Sequence, residues 1–238
     1  MKFAVIDNNQ QPMNPREGRG EGFARALAAW TPGTDYRFVR YDALTPQRDN
    51  LMRCRGLILS GSAFDLALPD DRFDRRTYEI MIPEYELICA FPGPVLGICF
   101  GHQLMALADE FDPGRTGFGG LRVRNMPDPP EKHVVVPIHL RSPLRFLQQQ
   151  YLWAQFHHKQ EVVCNDDLLK HYEVIAGTGP CPVHVMQHRT REWFGVQFHP
   201  EIGKETRAGA VDRHDDAVND GKAVLEEFVR YCLRQNAG

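Results

Sequence analysis

The chain has 238 residues, of which 25% are charged and 42% hydrophobic, and its formal net charge is -3. That length and apolar content suffice for one α/β domain with a sizeable core. The charge balance gives no electrostatic reason to expect nucleic acid or an anionic membrane as the main partner, which leaves a small molecule as the expected ligand.

The opening MKFAVIDNN enters an apolar strand with no long hydrophobic segment and no small-residue cleavage site, so it does not read as a signal peptide. No window approaches the run of about 18 apolar residues that a membrane helix requires. A soluble, cytoplasmic protein is expected. Cys54, Cys89, Cys99, Cys164, Cys181 and Cys232 are widely spaced and contain no CxxC pair, which disfavours a zinc knuckle or a disulfide framework and predicts mostly reduced core thiols.

Phe3 to Asp7 is a short apolar run ending in Asp-Asn-Asn, the pattern of a buried strand that opens into a loop. Gln10 to Gly20, rich in Pro, Gly and charge, predicts a loop; Glu21 to Trp30 carries apolar residues at helical spacing until Pro32 stops it. Tyr36 to Tyr41 reads as a strand, and Gly56 to Leu59 as a central parallel strand closed by Ser60-Gly61-Ser62. A helix is predicted over Arg76 to Cys89, a strand over Val95 to Cys99, and helical character from His102 to Ala108. Strands that alternate with helices imply βαβ units and a mainly parallel sheet.

The second half changes texture. Leu121 to Arg124, Val134 to Leu140, Glu173 to Ala176, Val183 to Gln187 and Phe194 to Phe198 predict strands separated by turns, hence a mixed or antiparallel extension. Gly221 to Leu233 predicts a closing amphipathic helix with Val224, Leu225, Phe228, Val229 and Cys232 on one side. The polar stretch from Gly203 to Asp220 is expected to be a mobile loop.

Two segments carry chemistry. Gly97-Ile98-Cys99-Phe100-Gly101 sets a nucleophile-type side chain between glycines where an apolar strand meets a helix, the arrangement of a nucleophile elbow. A tight turn there strains the backbone and lifts the thiol over the sheet edge, while the helix N-terminus favours a thiolate and an oxyanion. The plain alternative is a buried thiol with glycine neighbours by coincidence. Gly195-Val196-Gln197-Phe198-His199-Pro200-Glu201 ends an apolar strand in a histidine, and Glu201 follows on the same side of an extended chain. His199 can take the thiol proton and Glu201 can orient the ring. An isolated His-x-Glu is more often a solvated surface pair, and it is the elbow that gives this one meaning. At Leu59-Ser60-Gly61-Ser62-Ala63, Gly61 or Ser62 could add a backbone N–H to that of Phe100 in an oxyanion hole, although ordinary loop punctuation explains the segment alone.

GICFGHQ (Gly97 to Gln103) and GVQFHPE (Gly195 to Glu201), with LSGS after the third strand, resemble the class I glutamine amidotransferases. His158-Lys159-Gln160-Glu161-Val162 resembles that family's His-x-Asp-x-Val segment, and GKAVLEEF its closing helix. The resemblance implies one domain over residues 1–238: a flavodoxin-like three-layer α/β sandwich with a mainly parallel sheet flanked by helices and a mixed extension. It also implies glutaminase chemistry with Cys99, His199 and Glu201 as catalytic triad, N–H groups of Gly61 and Phe100 as oxyanion hole, and no metal, flavin or nucleotide cofactor. Ser62, Gln103, Phe156 and His157 are the further substrate-binding positions expected. The chain departs from the family pattern at Ser62-Ala63, at Asp109-Glu110 where Gly-Gly is common, and at His157 where a small polar residue is common.

No GxxxxGK phosphate loop occurs, so a synthetase would have to be a separate partner. The leading expectation is a free-standing hydrolase of γ-glutamyl amides, such as anilides or alkylamides, with Phe64, Phe118 and Phe156 lining an amine pocket. The alternatives are a glutaminase subunit that delivers ammonia to a separate synthetase, a non-catalytic amidotransferase-like regulator, and, more remotely, a cysteine peptidase on a related fold.

Overall fold

The computed structural model describes residues 2–9, 21–112, 114, 120, 122–127, 134–202 and 220–235. Strands and helices alternate through the first half: β1 (Lys2–Asp7), α1 (Glu21–Trp30), β2 (Asp35–Arg40), α2 (Arg48–Leu51), β3 (Leu57–Leu59), α3 (Arg75–Ala90), β4 (Val95–Ile98) and α4 (Phe100–Ala108). Two 3-10 turns, Tyr41–Ala43 and Thr45–Gln47, precede α2. Then come β5 (Val123–Asn125), β6 (Val134–His139), β7 (Tyr151–Phe156), β8 (Gln160–Val162), α5 (Asp166–His171), β9 (Tyr172–Ala176), β10 (Val185–His188), β11 (Trp193–Val196) and α6 (Gly221–Gln235).

Seven strands form one sheet in the order β2-β1-β3-β4-β11-β10-β9. The run from β2 to β11 is parallel, and β10 and β9 join by antiparallel pairing. Two antiparallel ribbons, β5 with β8 and β6 with β7, stand apart from it.

The alternation of side chains along each strand assigns the two faces. Phe3, Val5, Ile58, Leu96, Ile98, Phe194 and Val196 pack with Phe23, Leu27 and Trp30 of α1 and with Leu225 and Phe228 of α6. Ala4, Ile6, Leu57, Leu59, Val95 and Trp193 point the other way, into Tyr78, Met81, Tyr85 and Ile88 of α3 and Leu104 and Leu107 of α4. The result is a helix–sheet–helix sandwich, as the sequence predicted, with the mixed extension realised in β10 and β9.

The differences from the sequence reading are local. α4 starts at Phe100 rather than His102, and β11 ends at Val196, so Gln197 and Phe198 lie beyond it. β7, β8, α5 and the turns between residues 41 and 51 were not predicted, and the strand near Leu121 is placed at Val123–Asn125. The loop expected over Gln10 to Gly20, and residues 203–219 of the one expected over Gly203 to Asp220, lie outside the described residues.

His102, His158 and His184 are buried in this interior. Burial, the largest influence on each, pushes the His102 and His158 rings down to about 3 and the His184 ring down to about 4. They are therefore neutral in the fold where an unfolded chain would protonate them. As pH falls below about 6.5 the unfolded state gains protons that the folded state refuses, at up to about 1.4 kcal/mol per pH unit for each ring. Urea denaturation between pH 6 and 5 should show stability falling with acid. His184→Gln, which keeps a partner for Thr178, should make that fall shallower by up to about 1.4 kcal/mol per pH unit; an equally steep fall in parent and variant would mean that the His184 ring charges inside the fold.

Candidate active site

Four adjacent parallel strands bring their C-terminal ends to one edge of the sheet, the edge at which ligands bind in open α/β folds. Asn8 follows β1, Ser60 to Ser62 follow β3, Cys99 follows β4, and His199 and Glu201 lie just past β11. α4 can start abruptly at this edge because the sheet beneath it is bare. A Cβ on Gly97 would stand 2.5 Å from the Gly101 carbonyl oxygen, one on Gly101 2.5 Å from the Leu59 carbonyl oxygen, and one on Gly195 2.4 Å from His102 Nδ1. Only glycine admits this approach of helix to sheet.

The turn between β4 and α4 falls on Cys99, with φ 50° and ψ -103°. Among the described non-glycine residues only Asp71 shares a positive φ, and such a conformation costs on the order of 1–3 kcal/mol unless its surroundings impose it. Here they do: Cys99 N–H donates to the Val196 carbonyl at 2.9 Å, and its own carbonyl accepts from Gln103 N–H at 3.1 Å. Cys99 occupies the N-cap position of α4, at the positive end of the helix dipole. The residue is 5% exposed.

His199 is held from two directions. Its backbone N–H donates to the Gln155 carbonyl on β7 at 2.8 Å, and its Nδ1 lies 2.8 Å from Glu201 Oε1. Its Nε2 is 3.4 Å from the His157 carbonyl oxygen, and Cys99 Sγ is 4.0 Å from that same oxygen, so ring and sulfur converge. Burial works against a charged imidazole and is the largest single influence. The Glu201 carboxylate and Cys99, through charge and hydrogen bonding, together outweigh it and hold the His199 pKa well above the ordinary value. A proton on Nδ1 directed at Glu201 leaves Nε2 to the thiol.

The other expected positions are distributed as follows. Gly61 lies beside the pair: a Cβ there would be 3.0 Å from His199 Cε1 and 3.5 Å from Cys99 Cβ. Phe100 supplies the first backbone N–H of α4, one of the N-terminal donors that a helix leaves without an internal partner. The Ser62 hydroxyl is engaged within the protein, donating to the Asn8 carbonyl at 2.5 Å and accepting from Phe64 N–H at 3.0 Å. Gln103 spends its amide on the Gln160 carbonyl at 2.8 Å and Gln197 Oε1 at 3.3 Å. His157 is exposed, its ring 6.3 Å from that of His199. Phe156 is 3% exposed and packs against His184, His158 and Phe198. Phe64 packs on Phe100 and Tyr41, and Phe118 lies outside the described residues.

Two residues that shape the site were given no role of their own in the sequence analysis. Asn8 was read as loop punctuation, yet its position at the end of a central strand was the available signal. The buried Gln160 accepts from Leu66 and Ala67 N–H at 2.8 and 3.3 Å and donates to the Ala67 carbonyl and Asn125 Oδ1 at 2.7 and 3.0 Å. It thereby ties the segment after Gly61 to the β5–β8 ribbon.

Among the described residues one group of side chains has the spacing of metal ligands: Asp109, His171 and His188. His188 Nδ1 accepts from Thr190 and Arg191 N–H at 3.0 and 2.9 Å, so the neutral ring carries its proton on Nε2, 2.8 Å from Asp109 Oδ2. A protonated nitrogen is no metal ligand, so this tautomer leaves His188 Nε2 beside Asp109 without a free lone pair for an ion.

The family described as glutamine amidotransferase class-I matches residues 24–216. A glutamine-hydrolyzing GMP synthase subunit of Methanosphaera stadtmanae is 29% identical over 136 residues, 53% of this chain and 61% of that protein. The corresponding protein of Methanocaldococcus jannaschii is 31% identical over 143 residues, 58% of this chain and 60% of that protein. The matched stretches thus span about 60% of these relatives' own length. A glutamine amidotransferase of Thermotoga maritima shares the fold, with a TM-score of 0.66 at 14% identity over 98% of this chain and 96% of that one. The family match alone covers most of the sequence, and by it the chain belongs to the class I glutamine amidotransferases.

Proposed function

We propose that the protein hydrolyses the γ-amide of glutamine with Cys99 as nucleophile, His199 as acid and base, and Glu201 as the group that orients it. The observation that carries this reading is the meeting of a strained Cys99 with a His199 whose far nitrogen is 2.8 Å from Glu201 Oε1. With the thiol proton on His199, Cys99 sulfur attacks the γ-carbonyl carbon and negative charge moves to the carbonyl oxygen. Backbone N–H groups of Gly61 and Phe100 receive that charge. The intermediate collapses to a γ-glutamyl thioester as the C–N bond breaks, and the His199 proton leaves with ammonia. His199 then takes a proton from water, whose oxygen attacks the thioester; glutamate departs and the thiol is restored.

Ammonia is the leaving group in this reading, passed on to a separate synthetase. The names of the relatives, glutamine-hydrolyzing GMP synthase subunits, support it. So does the burial of Phe156, which takes one wall from the pocket that a larger amine would need.

Cys99→Ala should lower glutamine turnover by about 10⁴-fold or more, and Glu201→Gln by about 10²-fold, with melting temperatures close to that of the parent. Turnover retained by Cys99→Ala would remove the covalent mechanism. Glutamine, a γ-glutamyl anilide and a γ-glutamyl alkylamide should be compared as substrates: faster turnover of the substituted amides would replace the glutaminase reading with a free-standing amide hydrolase.

A further inference from the structure

Glu84, in the middle of α3, has no exposed surface. Its Oε1 accepts from Asn8 Nδ2 at 3.0 Å, while its Oε2 and the Oδ1 of Asn8 are buried without any hydrogen-bond partner among the described residues. No described cation is paired with it. Tyr85, its neighbour on α3, is buried and brings no positive charge, its ionisation opposed by burial and by Glu84. Asp7, beside Asn8, accepts from Asn9. On the 3-10 turn packed against α3, Tyr41 and Asp42 bring no positive charge, and Arg40 before it is engaged with Asp42. On α4, also packed on α3, His102 is directed at Val183 and Gly195.

A carboxylate in this position would be an unpaired buried charge beside an amide oxygen, an arrangement that proteins avoid. A neutral acid resolves both orphan atoms at once: its O–H donates from Oε2 to Asn8 Oδ1, and Asn8 Nδ2 returns the bond to Oε1. The two unsatisfied atoms belong to side chains already joined by one hydrogen bond, which makes this closure the economical one.

Asn8 in turn holds the loop that carries Gly61. Its N–H donates to Ser60 Oγ at 3.0 Å, its Nδ2 also donates to the Ser60 carbonyl at 3.3 Å, and its carbonyl accepts from Ser62 Oγ at 2.5 Å. Ser60 Oγ donates to the Gly61 carbonyl at 3.0 Å. Gly61 is thus bracketed by two serines that both answer to Asn8.

We propose that Glu84 is kept as a neutral acid clasped to Asn8, and that it is a positioning residue for the Gly61 backbone at the catalytic edge. The catalytic part of this statement rests on the glutaminase reading above. Burial, opposed only by the Asn8 hydrogen bond, pushes the Glu84 carboxyl up to about 8. Loss of the proton sets carboxylate oxygen against amide oxygen, so the clasp opens at alkaline pH and the loop loses its anchor. The sign for stability follows: with the folded pKa above the unfolded one, the contribution of Glu84 is complete in acid and is lost as pH rises toward about 8.

Glu84→Gln is the test, because a neutral amide can make both bonds to Asn8 at every pH. Its kcat at pH 7 should stay within about threefold of the parent, and its activity should persist above pH 8 where the parent declines, while Glu84→Ala should lower kcat at all pH values with KM little changed. The melting temperature of Glu84→Gln should gain on the parent between pH 6 and 9. Two readouts do not need turnover: an infrared carboxylic-acid band that Glu84→Gln removes, and a Gly61 amide NMR signal that titrates with it. Identical pH dependence of melting in parent and Glu84→Gln, or no neutral-acid band at pH 7, would overturn the clasp. A Gly61 signal indifferent to the titration would overturn the positioning role, whatever the substrate proves to be.

Discussion

The site depends on how closely α4 is pressed against the sheet. Gly97, Gly101 and Gly195 remove the side chains that would hold helix and strands apart, and the chain then has a single residue in which to turn from strand to helix. That residue is Cys99, and its left-handed backbone is the consequence of the tight approach rather than a separate feature. The sulfur is carried to the sheet edge and to the start of a helix by the same geometry, so position and electrostatic environment arrive together.

What surrounds the sulfur is arranged by charge. His199 is enclosed enough that a lone imidazolium would be disfavoured, and it is the company of Glu201 and Cys99 that makes the charged ring the better state. Farther inside, His102, His158 and His184 have no such company and stay neutral. One interior therefore holds histidines of opposite character, separated by whether an acid stands within hydrogen-bond reach.

The elements that proved legible in the sequence are those whose signal is local. The parallel strands announce themselves as short apolar runs closed by Gly, Ser or Asn, and the elbow by its glycines. α1 and α6 follow from helical spacing. β7 and β8 were missed because each is stabilised by a partner strand distant in sequence, Tyr151 opposite His139 and Gln160 opposite Asn125. α5 is only six residues long, yet Asn165 caps Leu168 N–H at 2.9 Å and acidic residues fill its first turn, a signal that was present and unused. Nothing in the neighbourhood of Phe156 says that His184 and Phe198 will close over it. Glu84 was invisible for the same reason: on a surface helix a glutamate reads as solvated until Asn8 is brought to it by the sheet.

The β6–β7 ribbon and the residue that follows it bring main-chain carbonyls to the site: the Gln155 carbonyl receives the His199 N–H, and the His157 carbonyl faces Sγ and Nε2. A scaffold built from carbonyls is indifferent to the side chains it carries. Position 157 can therefore drift between a small polar residue and a bulky imidazole without disturbing the geometry beneath, and the outward surface of the ribbon is released to change at a pace of its own.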